Sequence, residues 1–135
     1  MTTPADPVVS VLVIDDNKDT ADSLARFLRL SAGFDVRVAY DGQTGLKSAV
    51  QKPPDVVVLD IGLPKLDGIK VARDLLGQLP VKPLLIAVTG YGGTYPESQA
   101  REAGFDFYLV KPADPLVVEK LIRCRDQSPR PSLDG

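Results

Sequence analysis

The sequence predicts an α/β fold in which five parallel strands alternate with five helices, and three observations carry that reading. Short β-branched apolar runs recur along the chain, segments with helical apolar spacing separate them, and Gly, Pro, Asn or Asp mark the junctions. Such alternation calls for a doubly wound parallel sheet with right-handed crossovers and helices on both faces.

Residues 1–7 are polar, carry Pro4 and Pro7, and are expected to form a disordered leader, with order beginning at Val8. The run 8–14 is nearly continuous in Val, Leu and Ile, as a strand covered on both faces should be. Asn17 is placed to cap a helix whose Ala21, Leu24, Ala25 and Leu28 recur at helical spacing until Gly33 stops it. Val36 and Val38 alternate with polar neighbours, as at a sheet edge. Asp41-Gly42 then turns into a helix carrying Leu46, Ala49 and Val50, which Pro53-Pro54 breaks. Residues 56–59 predict a third strand, 66–79 a helix, 84–88 a fourth strand, 97–103 a helix and 105–110 the last strand. Pro115 suits the first turn of a final helix in which Leu116, Val117, Leu121 and Ile122 can face the core. One domain over residues 8–125 follows, with 126–135 a disordered tail. The weak second strand prefers an edge. That favours the flavodoxin-like (βα)5 order 2-1-3-4-5, whose switch point lies between strands 1 and 3.

With 135 residues, 44% hydrophobic and 25% charged, the chain suits one ordinary core. The net charge of -2 and the absence of a Lys/Arg cluster argue against an electrostatically driven nucleic-acid or membrane surface and for protein partners. The N-terminus lacks the pattern of a signal peptide, and no apolar run approaches a membrane span of roughly 20 residues. A single cysteine, Cys124, cannot form an internal disulfide and suits a reducing cytoplasm. The chain contains no histidine, which excludes catalytic triads, histidine bases and most zinc sites. Its chemistry must use carboxylates, hydroxyls and lysine.

Each strongly apolar run ends in such a group. Residues 8–14 run into Asp15 and Asp16, 56–59 into Asp60, 84–88 into Thr89, and 107–110 into Lys111. In a parallel sheet these side chains converge on the edge where open α/β folds bind ligands. Alone, each reads more simply as a cap, a loop hydroxyl or a surface lysine; their joint order points to one site. Three acids in a partly desolvated crevice repel, and a bound cation would relieve them. Oxygen ligands with room for water fit Mg2+. Asp16 and Asp60 are then candidate direct ligands, Asp15 binds directly or through water, and the Gly62 carbonyl adds an oxygen. Asp60 is placed as a carboxylate nucleophile toward phosphorus, with Lys111 and Thr89 binding phosphoryl oxygens, so that no general base is needed.

The motifs Val-Leu-Val-Ile-Asp-Asp-Asn at 11–17, Val-Val-Leu-Asp-Ile-Gly-Leu-Pro at 57–64 followed by Asp67-Gly68, Ala-Val-Thr-Gly at 87–90 and Tyr-Leu-Val-Lys-Pro at 108–112 resemble those of the response regulator receiver family. The resemblance implies that Asp60 accepts phosphate from a phosphohistidine on a sensor histidine kinase or histidine phosphotransfer protein, with no turnover of an external substrate. It also implies that Thr89 and Tyr108 form a switch pair. Phosphorylation would then shift the face of the fourth helix, fifth strand and fifth helix toward a downstream protein target, and whether that face pairs two copies is left open. The Lys111-Pro112 bond is expected to be cis by the same analogy.

The chain departs from the commonest family pattern at Gly90, where alanine or serine is usual. Gly90, Gly92 and Gly93 predict a loosely anchored fourth helix. Gly62 and Tyr91 occupy the positions that tune water access to the acyl phosphate. Neither offers an acid or amide, so a long-lived phosphoryl group is expected. A haloacid-dehalogenase-type phosphatase would need a second acid where Gly62 stands. A flavodoxin or Rossmann enzyme would need a phosphate loop where residues 15–20 stand. The different-class alternative is a scaffold working without phosphorylation. No output domain follows Arg125, so a free-standing regulator or part of a larger protein is expected. The loops after Asp60 and Thr89 resemble those of receivers fused to hybrid sensor kinases.

Overall fold

The computed structural model describes residues 8–61, 68–90 and 97–125. Gly62 and Tyr91, the leader 1–7 and the tail 126–135 lie outside the described residues. Ten elements alternate: β1 (Ser10–Ile14), α1 (Lys18–Ala32), β2 (Asp35–Ala39), α2 (Gly42–Gln51), β3 (Val56–Asp60), α3 (Gly68–Gln78), β4 (Leu84–Thr89), α4 (Glu97–Ala103), β5 (Phe107–Val110) and α5 (Pro115–Cys124). The strands form one parallel sheet in the order β2-β1-β3-β4-β5, as the pattern predicts.

Local chemistry sets the boundaries. The Asn17 side chain accepts the Thr20 N–H at 3.0 Å to start α1, and Gly33 ends it in the left-handed region at φ 71°. Asp41 caps α2, and Asp114 caps α5 ahead of Pro115. α4 closes with Gly104 at φ 112°: its N–H donates to the Arg101 carbonyl and that of Phe105 to Ala100, a Schellman ending. This ending corrects the expected start of the last strand, because Phe105 belongs to the helix cap and β5 begins at Phe107. Likewise β1 begins at Ser10, not Val8, whose side chain is exposed.

Period-two alternation divides the strand side chains between two cores. Leu12, Ile14, Val57, Leu59, Leu85 and Ala87 pack with α2, α3 and α4. Val11, Val13, Val56, Val58, Ile86 and Val88 pack with α1 and α5. On α5 the buried stripe is Val118 and Ile122 with Leu121 partly covered, a spacing of i, i+3, i+4, while Leu116 and Val117, expected inside, are exposed. Val50 is also exposed, because Leu46 and Ala49 already form the inward stripe of α2. Among the described residues no helix is long and apolar enough to cross a membrane.

Candidate functional site

Among the described residues the buried polar or charged side chains are Asp15, Asp60 and Thr89, and all three stand at the C-terminal ends of strands. Core positions elsewhere are apolar, so polarity is concentrated at the sheet edge where burial is most costly without partners. Parity decides which of the three meet. Asp15 and Asp60 continue the alternation of Val13 and Val58 and project toward α1 and α5, whereas Thr89 continues Leu85 and Ala87 and belongs to the opposite face.

Lys111 joins the two acids. Its ammonium Nζ lies 2.5 Å from Asp60 Oδ2 and 3.3 Å from Asp15 Oδ2. The other Asp15 oxygen, Oδ1, accepts the Asn17 backbone N–H at 2.9 Å. Burial pushes the Asp15 carboxyl above its ordinary range, and the charge of Asp60 adds to this, against the opposing Asn17 hydrogen bond and Lys111. For Lys111 burial acts to lower the pKa, but the hydrogen bond and charge of Asp60, with Asp15, outweigh it and hold the ammonium above its usual value. The repulsion that sequence reasoning assigned to a bound cation is therefore compensated here by a lysine.

Asp16 is half-buried, and among the described residues no three acidic, His or Cys side chains are gathered closely enough to hold a metal by themselves. The carboxylates lining the crevice are those of Asp15, Asp19 and Asp60. Such a set suits a hard cation, and Mg2+ takes one or two carboxylates and fills its remaining positions with water or phosphate. The donor chemistry fits the ion.

Thr89 and Lys111 are coupled through the backbone, the Lys111 N–H donating to the Thr89 carbonyl at 2.7 Å. Tyr108 is half-buried against the α2, α3 and α4 core and pairs in register with Ala87. Thr89 stands two residues along the same face of the adjacent strand, which puts hydroxyl and ring on one side of the sheet, opposite the carboxylates. The Lys111-Pro112 peptide is cis.

A cavity of about 660 Å3 opens beneath the acids, with Asp15, Asp60 and Lys111 at one end and Thr20, Ser23 and Leu24 of α1 along its wall. Sequence reasoning gave Leu24 a core role and none of the three a place at the site. Their signal was the i, i+3, i+4 spacing that follows the Asn17 cap, on the helix face turned toward Asp60.

Residues 11–123 match the family described as response regulator receiver domain. Among curated relatives, the transcriptional regulatory protein PrrA of Mycobacterium bovis is 43% identical over 102 residues, covering 76% of this chain and 43% of its own length. The alkaline phosphatase synthesis transcriptional regulatory protein PhoP of Bacillus subtilis is 38% identical over 113 residues, covering 84% of this chain and 46% of its own. The chain thus spans less than half the length of these relatives. Their names are those of transcriptional regulators, so they lend no support to the expected lack of a nucleic-acid partner, nor do they carry the hybrid-kinase linkage that the loops resemble. Among solved structures, a CheY-like response regulator receiver domain protein from Methanospirillum hungatei superposes with a TM-score of 0.79 at 26% identity, covering 90% of this chain and 96% of that one. A response regulator from Burkholderia pseudomallei, described with a phosphorylated aspartic acid, calcium ion and citrate, superposes with a TM-score of 0.74 at 28% identity, covering 90% and 75%.

Proposed function

The chain belongs to the response regulator receiver family of two-component signalling, and from that premise we propose that it accepts a phosphoryl group on Asp60 from a phosphohistidine of a sensor kinase or phosphotransfer protein. The observation that carries this reading is the buried Asp60 carboxylate paired with Lys111, whose ammonium also reaches Asp15, at the end of the central strand.

In the transfer, an Asp60 oxygen attacks phosphorus as the phosphorus–nitrogen bond to the donor imidazole breaks and its electron pair returns to the ring. Lys111 then trades part of its contact with Asp60 for a phosphoryl oxygen, and the Thr89 hydroxyl turns to bind another. Asp16 and Asp60, Asp15 directly or through water, and the Gly62 carbonyl would hold Mg2+, which would supply positive charge against the phosphoryl oxygens. Tyr108 follows Thr89 inward and changes the surface of α4, β5 and α5 that a downstream protein reads. The protein acts on itself and turns over no external substrate. It works in the cytoplasm, where the kinase's phosphohistidine is available.

Intact-mass measurement after incubation with Mg2+ and acetyl phosphate tests the reading. One phosphoryl-sized gain, absent in Asp60→Asn, is expected. If acetyl phosphate and a phosphohistidine donor both leave the mass unchanged, the scaffold reading replaces this one.

A further inference from the structure

We propose that Gly68 is a positioning residue for the phosphoacceptor: its missing Cβ lets the first turn of α3 rest on the backbone of Ile61, and this close approach sets where the Asp60 carboxylate stands. The inference rests on the role given to Asp60 above and adds a residue outside the charged cluster.

A Cβ at Gly68 would lie 2.6 Å from the Ile61 Cα and 2.7 Å from its Cβ, and closer still to its Cγ2. Two common reasons for glycine do not apply. The glycines with positive φ among the described residues are Gly33 and Gly104, so Gly68 adopts a backbone open to any residue. Alanine is also the better helix former. Close approach is the remaining reason, and the atoms approached include main chain.

Ile61 has nowhere to retreat. It is fully buried, and its N–H donates to the Val88 carbonyl at 2.9 Å, continuing the β3–β4 ladder by one residue. Ile61 is therefore clamped between β4 and α3. Asp60 and Ile61 share a peptide unit, so pushing Ile61 aside turns the plane that carries Asp60 and swings its carboxylate from Lys111. Restoring ordinary separation requires a shift of roughly 1 Å, an order at which misplacement costs about a hundredfold in rate.

The molecule contains its own control. Gly45 of α2 packs on the same sheet face, but the three atoms nearest a Cβ there all belong to the Ile14 side chain, Cδ1 at 2.5 Å, Cγ1 at 2.8 Å and Cγ2 at 3.3 Å. Alanine at Gly45 therefore loads the buried Ile14 side chain, with no main-chain atom among its nearest contacts, and controls for overpacking of this core face.

The test compares the full chain with Gly68→Ala, Gly45→Ala, Ile61→Ala and the Gly68→Ala/Ile61→Ala pair, each checked for folding by circular dichroism. With Mg2+ and varied acetyl phosphate, the maximal labelling rate of Gly68→Ala is expected to fall about a hundredfold with the half-saturating donor concentration unchanged. Gly45→Ala should stay within about threefold, the level of ordinary packing effects. The double variant should stay slow relative to Ile61→Ala, because shortening the Ile61 side chain leaves the clash with its main chain in place, and it carries the test if Gly68→Ala does not fold. As a readout independent of labelling, the NMR resonance of the Asp60 carboxylate carbon, read at one fixed pH, should move in Gly68→Ala and stay in place in Gly45→Ala. A folded Gly68→Ala with native rate and native Asp60 carboxylate resonance, equal losses at both glycines, or full rescue by Ile61→Ala overturns the proposal. If the native chain takes no phosphoryl group the function reading fails, and the Asp60 carboxylate resonance still decides the positioning claim.

Discussion

The Lys111 ammonium at the end of β5 lies 2.5 Å from the Asp60 carboxylate at the end of β3, reaching across the end of β4 between them. The Asp60 side chain is almost wholly buried while that of Lys111 keeps 23% of its exposure. The buried carboxylate is thus paired with a cation that keeps partial access to solvent.

Lys111→Met removes the ammonium that Asp15 and Asp60 share. We expect labelling by acetyl phosphate to fall by about 10² to 10³. Stability should drop by about 3 kcal/mol, the low end for breaking a buried pair, since the lysine is partly exposed. Because the folded-state pKa of Lys111 is raised, its contribution should be complete below its ordinary 10.5 and be lost as pH rises through the folded value. Urea titrations of both chains across that range check the sign, and equal stability at neutral pH would contradict the account.

Asp15→Asn should stabilise the fold while weakening its response to Mg2+. The raised Asp15 pKa means that protonation favours the folded state. Its favourable contribution is complete below 3.8 and is lost as pH rises through the folded value, so at neutrality the charged side chain is a burden that asparagine removes. Thermal melts should show the variant ahead at pH 7, with its advantage shrinking on acidification. A variant less stable at pH 7 would show that Asp15 is better paired than its burial indicates.

Thr89→Ala should separate phosphorylation from its readout. Thr89 and Tyr108 share one face of adjacent strands, away from the carboxylates. Binding of a phosphoryl mimic should change amide exchange over residues 90–110 in the native chain and much less in the variant. Identical exchange changes in both would remove Thr89 from the switch.

Chelation of divalent metal should abolish labelling, and Mg2+ should restore it. Once formed, the phosphoryl group should outlast the time of seconds, since neither Gly62 nor Tyr91 carries an acid or amide to orient water. A mass time course after donor removal decides this, and complete loss within seconds would contradict it.

Much of the fold was legible along the chain. Asn17, Gly33 and Pro115 mark helix ends through local hydrogen bonds and backbone preferences, and the alternating Val36 and Val38 mark an edge strand; these effects act over a few residues. The errors fell where competition between neighbours decides. Phe105 is as apolar as a strand residue but caps α4, and Leu116 and Val117 are as apolar as Val118 but face outward once Asp114 and Pro115 set the helix phase.

By itself the sequence determined which group ends each strongly apolar strand, and hence that acids, a hydroxyl and a lysine share one sheet edge. Tertiary structure alone decided their partners. Asp15 and Asp60 meet Lys111 across 96 and 51 residues, Thr89 takes the opposite face with Tyr108, and Gly68 seats α3 on Ile61. The division has one physical cause: caps and periodicity are local free energies, whereas charge compensation in a desolvated crevice depends on which strands lie side by side and on the parity of each residue along them.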